Sequence, residues 1–140
     1  MRKVILLAFA AALLFSCTKD ELTYQDGTYK AVEAEFGYGW KGYLNITISE
    51  DALKAVEFDY LDEDGNKKSE TTAESYPMVP HPSTWIPQYE STLLSTEIVE
   101  YAEIDAVTGA TNAGTAINKM VNAALEAAKT GDTSEQVIID

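Results

Sequence analysis

Residues 111–131 read TNAGTAINKMVNAALEAAKTG, and the spacing of their apolar residues decides the fold. From Thr111 onward, Ala113, Ala116, Ile117, Met120, Val121, Ala124, Leu125 and Ala128 follow the i, i+3, i+4, i+7 rule of a helix with one apolar face. Gly131 stands where a glycine ends such a helix. Upstream the period changes from 3.6 to two. In Tyr43 to Ser49, Leu44, Ile46 and Ile48 face one way, Asn45 and Thr47 the other. Glu50-Asp51 forms a turn. Lys54 to Leu61 alternates again, with Val56, Phe58 and Tyr60 on one face and Glu57 and Asp59 on the other. Asp62 to Asn66 is a strong turn signal.

Further out, Asp26-Gly27 opens a strand over Thr28 to Phe36, and Gly37 to Gly42 is a glycine-rich bend with two aromatics. Residues 67–83 are polar, and Pro77, Pro80 and Pro82 exclude regular structure across Tyr76 to Ser83. A helix then starts at Ser83 or Thr84, either of which supplies a capping hydroxyl, with Pro87 in its first turn. Trp85, Tyr89 and Leu93 give it one apolar stripe. Val137-Ile138-Ile139 fits a last strand or a docked tail. Strands followed by helices predict an α+β fold, an antiparallel β meander packed with two main helices in a single small domain.

The 140 residues suit one domain, and 46% hydrophobic residues allow a packed core. A net charge of −13 disfavours nucleic acid and anionic lipid as partners. Residues 1–16, MRKVILLAFAAALLFS, have a basic start and an apolar run too short to span a bilayer, which predicts a signal peptide. Cys17, the single cysteine, follows Leu14-Phe15-Ser16 and resembles the lipidated cysteine of bacterial lipoproteins. A single cysteine excludes an internal disulfide. The resemblance implies an exported chain held by acyl chains on a membrane, at the outer membrane or cell surface. Lys19-Asp20-Glu21 fits a surface-export tag and an acidic tether equally well. The expected division is a leader over 1–16, a lipidated tether over 17–25, a domain over 26–130 and a tail over 131–140.

Before the last helix stands Asp105-Ala106-Val107-Thr108-Gly109-Ala110-Thr111. It reads as an acid, a short apolar step, a tight turn at Gly109 and a hydroxyl residue that opens a long helix. Free amides and dipole potential at a helix start suit a phosphate. A threonine N-cap after a glycine turn explains the same residues without a ligand.

Asp-x-x-Thr-Gly-Ala-Thr resembles the flavinylation signature of FMN-binding domains, among them subunits of sodium-translocating NADH:quinone reductase and pheromone-precursor lipoproteins. Within that family the chain looks most like the pheromone-lipoprotein branch. Asp26-Gly27-Thr28-Tyr29, Trp40-Lys41-Gly42-Tyr43, Ala55 to Tyr60, Asp64-Gly65, Trp85-Ile86-Pro87 and the alanine-rich final helix extend the resemblance over most of the chain. It implies FMN bonded through its phosphate to the Thr111 hydroxyl, delivered from FAD by a separate, metal-dependent flavin transferase. Asp105 then marks the start of the signature, and Thr108, Gly109 and Ala110 form the turn that presents Thr111. Asn112-Ala113-Gly114-Thr115 departs from the serines that relatives often carry there. The implied role is an extracytoplasmic electron carrier, with a redox donor and acceptor as partners, rather than a stand-alone enzyme.

Other residues carry less. Tyr76, Met78 and Trp85 suit packing on a flavin ring, and core packing equally explains them. His81, the only histidine, lies between two prolines and reads as a loop residue with no metal or catalytic set around it. Asp59, Asp62, Glu63 and Asp64 lack the spacing of a calcium loop and read as a solvated turn. Gly37-x-Gly39-x-x-Gly42 does not open a helix, so it is not a dinucleotide motif. Against the electron carrier stand a surface lipoprotein that binds a partner or ligand without a cofactor, and a peptide-releasing precursor. Only the carrier calls for the signature before Thr111.

Overall fold

A computed structural model of the protein describes residues 21–139; the leader over 1–16, Cys17 and the first part of the tether lie outside them. Three antiparallel strands form a meander: β1 (Gly27–Glu33), β2 (Lys41–Ser49) and β3 (Ala52–Leu61). Two helices follow, α1 (Pro82–Leu94) and α2 (Thr111–Thr130). The C-terminal segment is a strand, β4 (Gln136–Ile138), which pairs parallel to β1 and makes the sheet mixed, in the order β3-β2-β1-β4.

The β2–β3 turn places Glu50 at φ 51° and Asp51 at φ 57°, the pair of positive φ values that matches a two-residue hairpin to the strand twist. A register shift at Thr47/Ile48 lets Leu53 and, beyond it, Phe58 both face inward. The buried face carries Tyr29, Ala31, Leu44, Ile46, Ile48 and Phe58. α2 packs over β1 and β2, and α1 over β3. Each fully buried large side chain here contributes roughly 1.5–3 kcal/mol. The opposite face is wet, with Tyr43 Oη donating to Glu57 at 2.7 Å and the Thr28 and Thr47 hydroxyls 3.0 Å apart.

Several local expectations change. β1 ends at Glu33, three residues before Phe36, because the chain enters a tight loop closed by Gly37 and Trp40. Asp59 shares the face of Tyr43 and Glu57 but is not solvated: it is 4% exposed, because the 3-10 turn Lys68–Glu70 covers it. α1 is capped by neither Ser83 nor Thr84. His81 is the N-cap, its Nδ1 accepting from Ser83 N at 3.2 Å, and Pro82 takes the first helical position, where proline lacks no needed amide. Pro87 therefore falls beyond the first turn, inside the helix. Packing also begins before Asp26: Tyr24 is buried, Asp51 accepts from the amides of Thr23 and Tyr24, and Gln25 N donates to Ala128 O.

Candidate functional site

The signature lies in the loop that joins the helices, and two buried side chains fix it. Tyr89 of α1 donates its hydroxyl to Ala110 O at 2.7 Å and accepts from Val107 N at 2.9 Å. Asn118 of α2 bonds both backbone groups of Ile104 at 3.0 Å and accepts from Tyr101 Oη at 2.6 Å. Burial pushes the Tyr101 hydroxyl up to about 12, so it stays a donor. The loop is thus clamped on either side of Asp105.

Gly109 has φ +83°, and a Cβ there would stand 2.5 Å from Pro80 Cδ. Only glycine fits the turn and the close approach together. Gly114 is needed for space: a Cβ would meet Tyr89 Oη at 2.8 Å. The N-cap of α2 is Ala110, which has no side-chain cap, and the first turn holds no acidic residue. Thr111 is therefore the first helical residue and exposed, not the capping threonine. The initial amides of a 20-residue helix are left for an external acceptor.

Thr111 stands in the wall of a cavity of about 740 Å³, within the range of cofactor sites. Gly109, Ala110, Asn112 and Ala113 border it on the same side, with Tyr76, Met78 and Trp85 also in its lining. Sequence reasoning did not assign to it Glu33, Gly37, Tyr38 and Trp40 from the β1–β2 region, Tyr60 from β3, Lys68 from the 3-10 turn, or Thr115 and Ala116 of α2. Asp105 and Thr108 do not border this cavity; Thr108 lines a shallow groove with Pro87, Gln88, Ser91 and Thr92. Thr108 and Thr111 thus line different surfaces. His81 is no loop bystander: it caps α1 and lies 3.3 Å from Thr71 Oγ1. Asp62, in the acidic turn, accepts from the amides of Asp64 and Asn66 and from the Asn66 side chain.

The walls fit a flavin. Trp40 and Tyr76 stack edge-to-face at 6.0 Å, and Tyr60 and Trp85 at 6.2 Å, offering apolar surface to a planar ring. Trp85 is 2% exposed, and its Nε1 is the one buried side-chain nitrogen or oxygen among the described residues without a hydrogen-bond partner. A buried donor left unpaired costs roughly 1–3 kcal/mol, which an acceptor on a bound group would recover. An uncapped helix start for phosphate, aromatic walls and an unpaired donor are what a phosphorylated, ring-bearing cofactor requires.

A small α+β domain that joins such a cavity to a hydroxyl residue at a helix start defines a cofactor-holding protein. A model of the FMN-binding domain matches residues 37–126, and the chain belongs to this family. The chain is 29% identical to the 15 kDa lipoprotein of Treponema pallidum (strain Nichols) over 127 residues, 87% of each chain. The crystal structure of the CPE2226 protein from Clostridium perfringens shares the fold at a TM-score of 0.74 and 24% identity, covering 82% of this chain and 97% of that one. Among the described residues, no helix is long and apolar enough to cross a membrane.

Proposed function

We propose that this protein is a lipid-anchored electron carrier outside the cytoplasm, with FMN bonded through its phosphate to Thr111. One observation carries the reading: the exposed Thr111 stands both at the uncapped start of α2 and in the wall of the aromatic cavity. Family membership supplies FMN as the group.

Thr111 accepts FMN on its hydroxyl oxygen from FAD, with AMP as the departing group, in a reaction that a separate flavin transferase performs. The alkoxide–phosphorus bond replaces the pyrophosphate bond, and the hydroxyl proton leaves with AMP or solvent. Gly109 and Ala110 hold Thr111 at the rim, and the Tyr89 hydroxyl fixes Ala110. Asp105 and Thr108 are exposed on the outer side of the loop, where a transferase can read them. The initial amides of α2 are oriented to receive a phosphate near its point of attachment. The aromatic walls exclude water from one side of the cavity.

Bound FMN supplies one- and two-electron redox chemistry, and the chain holds and tunes it. A covalent link prevents loss of the cofactor by dilution outside the cell. Lipidation of Cys17 would keep the domain on a membrane, in keeping with the name of the Treponema relative. The redox donor and acceptor are separate partners.

The test is in-gel flavin fluorescence of wild type and Thr111→Ala, each co-expressed with an active flavin transferase. Fluorescence in the wild type and none in the variant is expected. A wild type without flavin would leave a cofactor-free binding lipoprotein as the better account.

A further inference from the structure

Lys68 is a lysine with an aromatic enclosure and, among the described residues, no ion pair. Its Nζ lies 4.7 Å from the ring centroid of Tyr60, 4.9 Å from Tyr76, 5.5 Å from Trp40 and 5.9 Å from Trp85. All four rings and Lys68 itself border the cavity that Thr111 borders. Neighbouring Lys67 pairs with Glu57 at 3.3 Å, whereas Lys68 pairs with no carboxylate among the described residues.

The position of Lys68 is built. Asp59 accepts from Ser69 N at 3.1 Å and from the Ser69 hydroxyl, which binds the 3-10 turn to β3. Thr71 donates its hydroxyl to Lys68 O at 2.7 Å. Burying Asp59 under this turn has no purpose on the wet face of a sheet, but it fixes the backbone of Lys68 beside the cavity. Among the described residues, Lys68 is the one cation that borders this cavity, and the Glu33 carboxylate, which borders it too, accepts from Gly42 N at 2.7 Å.

We infer that Lys68 is the charge partner of the reduced flavin: its ammonium, held by four aromatic rings in the cavity wall, favours the anionic reduced ring over the neutral oxidised one. The inference rests on the flavin reading of the cavity. Two electrons and one proton convert the neutral oxidised ring to a reduced ring with one negative charge, and dithionite supplies the electrons in the test. The ring faces of the cage stabilise the cation, so the lysine is retained beside an apolar surface without needing an acid. A nearby positive charge is one of the means by which a protein tunes a flavin.

The experiment is a reductive titration of the full chain, co-expressed with a flavin transferase, as wild type, K68M, K68Q and K68R. Attached FMN is measured by mass, and folding by thermal denaturation. K68M and K68Q are expected to carry FMN but to lose at least tenfold in preference for reduced over oxidised flavin, about 30 mV for a two-electron couple. K68R is expected to restore most of it. Fully loaded K68M with the wild-type potential overturns the inference. So does failure of K68M and K68Q to fold or load while K68R does both, since the lysine then serves packing or loading. A wild type that takes no flavin overturns the flavin reading instead.

Discussion

Thr111 is the first helical residue of α2 and caps nothing, so its two properties separate cleanly. Thr111→Ala removes the attachment oxygen but no buried contact. Its unfolding free energy should stay within about 0.5 kcal/mol of wild type, as for surface substitutions generally, and urea denaturation checks this. A loss of several kcal/mol would mean that the hydroxyl has a structural partner. Gly109 is the opposite case. Gly109→Ala forces a positive φ on a side chain and drives its Cβ against Pro80. It should cost about 1–3 kcal/mol and lower flavin attachment, read by denaturation and fluorescence together. Among single residues, Thr111 and Gly109 were legible because a motif of fixed spacing marks them. Lys68 was not: four rings from β3, the β1–β2 loop, the proline-rich segment and α1 meet on it only after folding.

At the scale of elements, α1 and α2 are coupled through the loop between them. The Tyr89 hydroxyl is the link, serving a carbonyl and an amide of that loop. Tyr89→Phe keeps the ring and its packing but leaves Ala110 O and Val107 N without this partner. A loss of about 1–3 kcal/mol is expected, with faster amide exchange at Val107 in native-state hydrogen exchange. Unchanged exchange at Val107 would deny the clamp. The sequence made α2 legible to the residue, because its apolar period runs unbroken from Thr111 and ends at Gly131. The start of α1 was not legible. A histidine outside the usual capping set does the capping, and it draws Pro82 into the helix. The pairing of β4 was also open, since three residues carry no period and their partner, β1, lies at the far end of the chain.

For the whole molecule, three carboxylates, Glu57, Asp59 and Glu90, come together where β3 meets α1. Burial first, and the neighbouring Asp59 and Glu57 next, raise the Glu90 carboxyl above its usual range, although Phe58 N donates to it at 3.2 Å. A carboxyl with a raised folded value favours folding while protonated and loses that contribution as pH rises through the folded value. Glu90 is therefore a burden at neutral pH. Glu90→Gln keeps an acceptor for Phe58 N and should melt higher than wild type at pH 7, with the gap closing as pH falls towards 4. A gap that widens on acidification would reverse the sign. The α+β class and the wet-faced meander followed from alternation alone. The mixed sheet and the burial of Asp59 depend on chain returns that no local pattern records.

Residue, element and fold meet in the proposed attachment: one residue, Thr111, presented by one clamped loop, would tie a flavin to this fold. The most direct measurement is the intact mass of the full chain from cells with an active flavin transferase, followed by peptide mapping. A mass gain of one FMN less one water is expected, located on the peptide that contains Thr111 and absent from Thr111→Ala. An unmodified mass, or FMN mapped to any other residue, would contradict it.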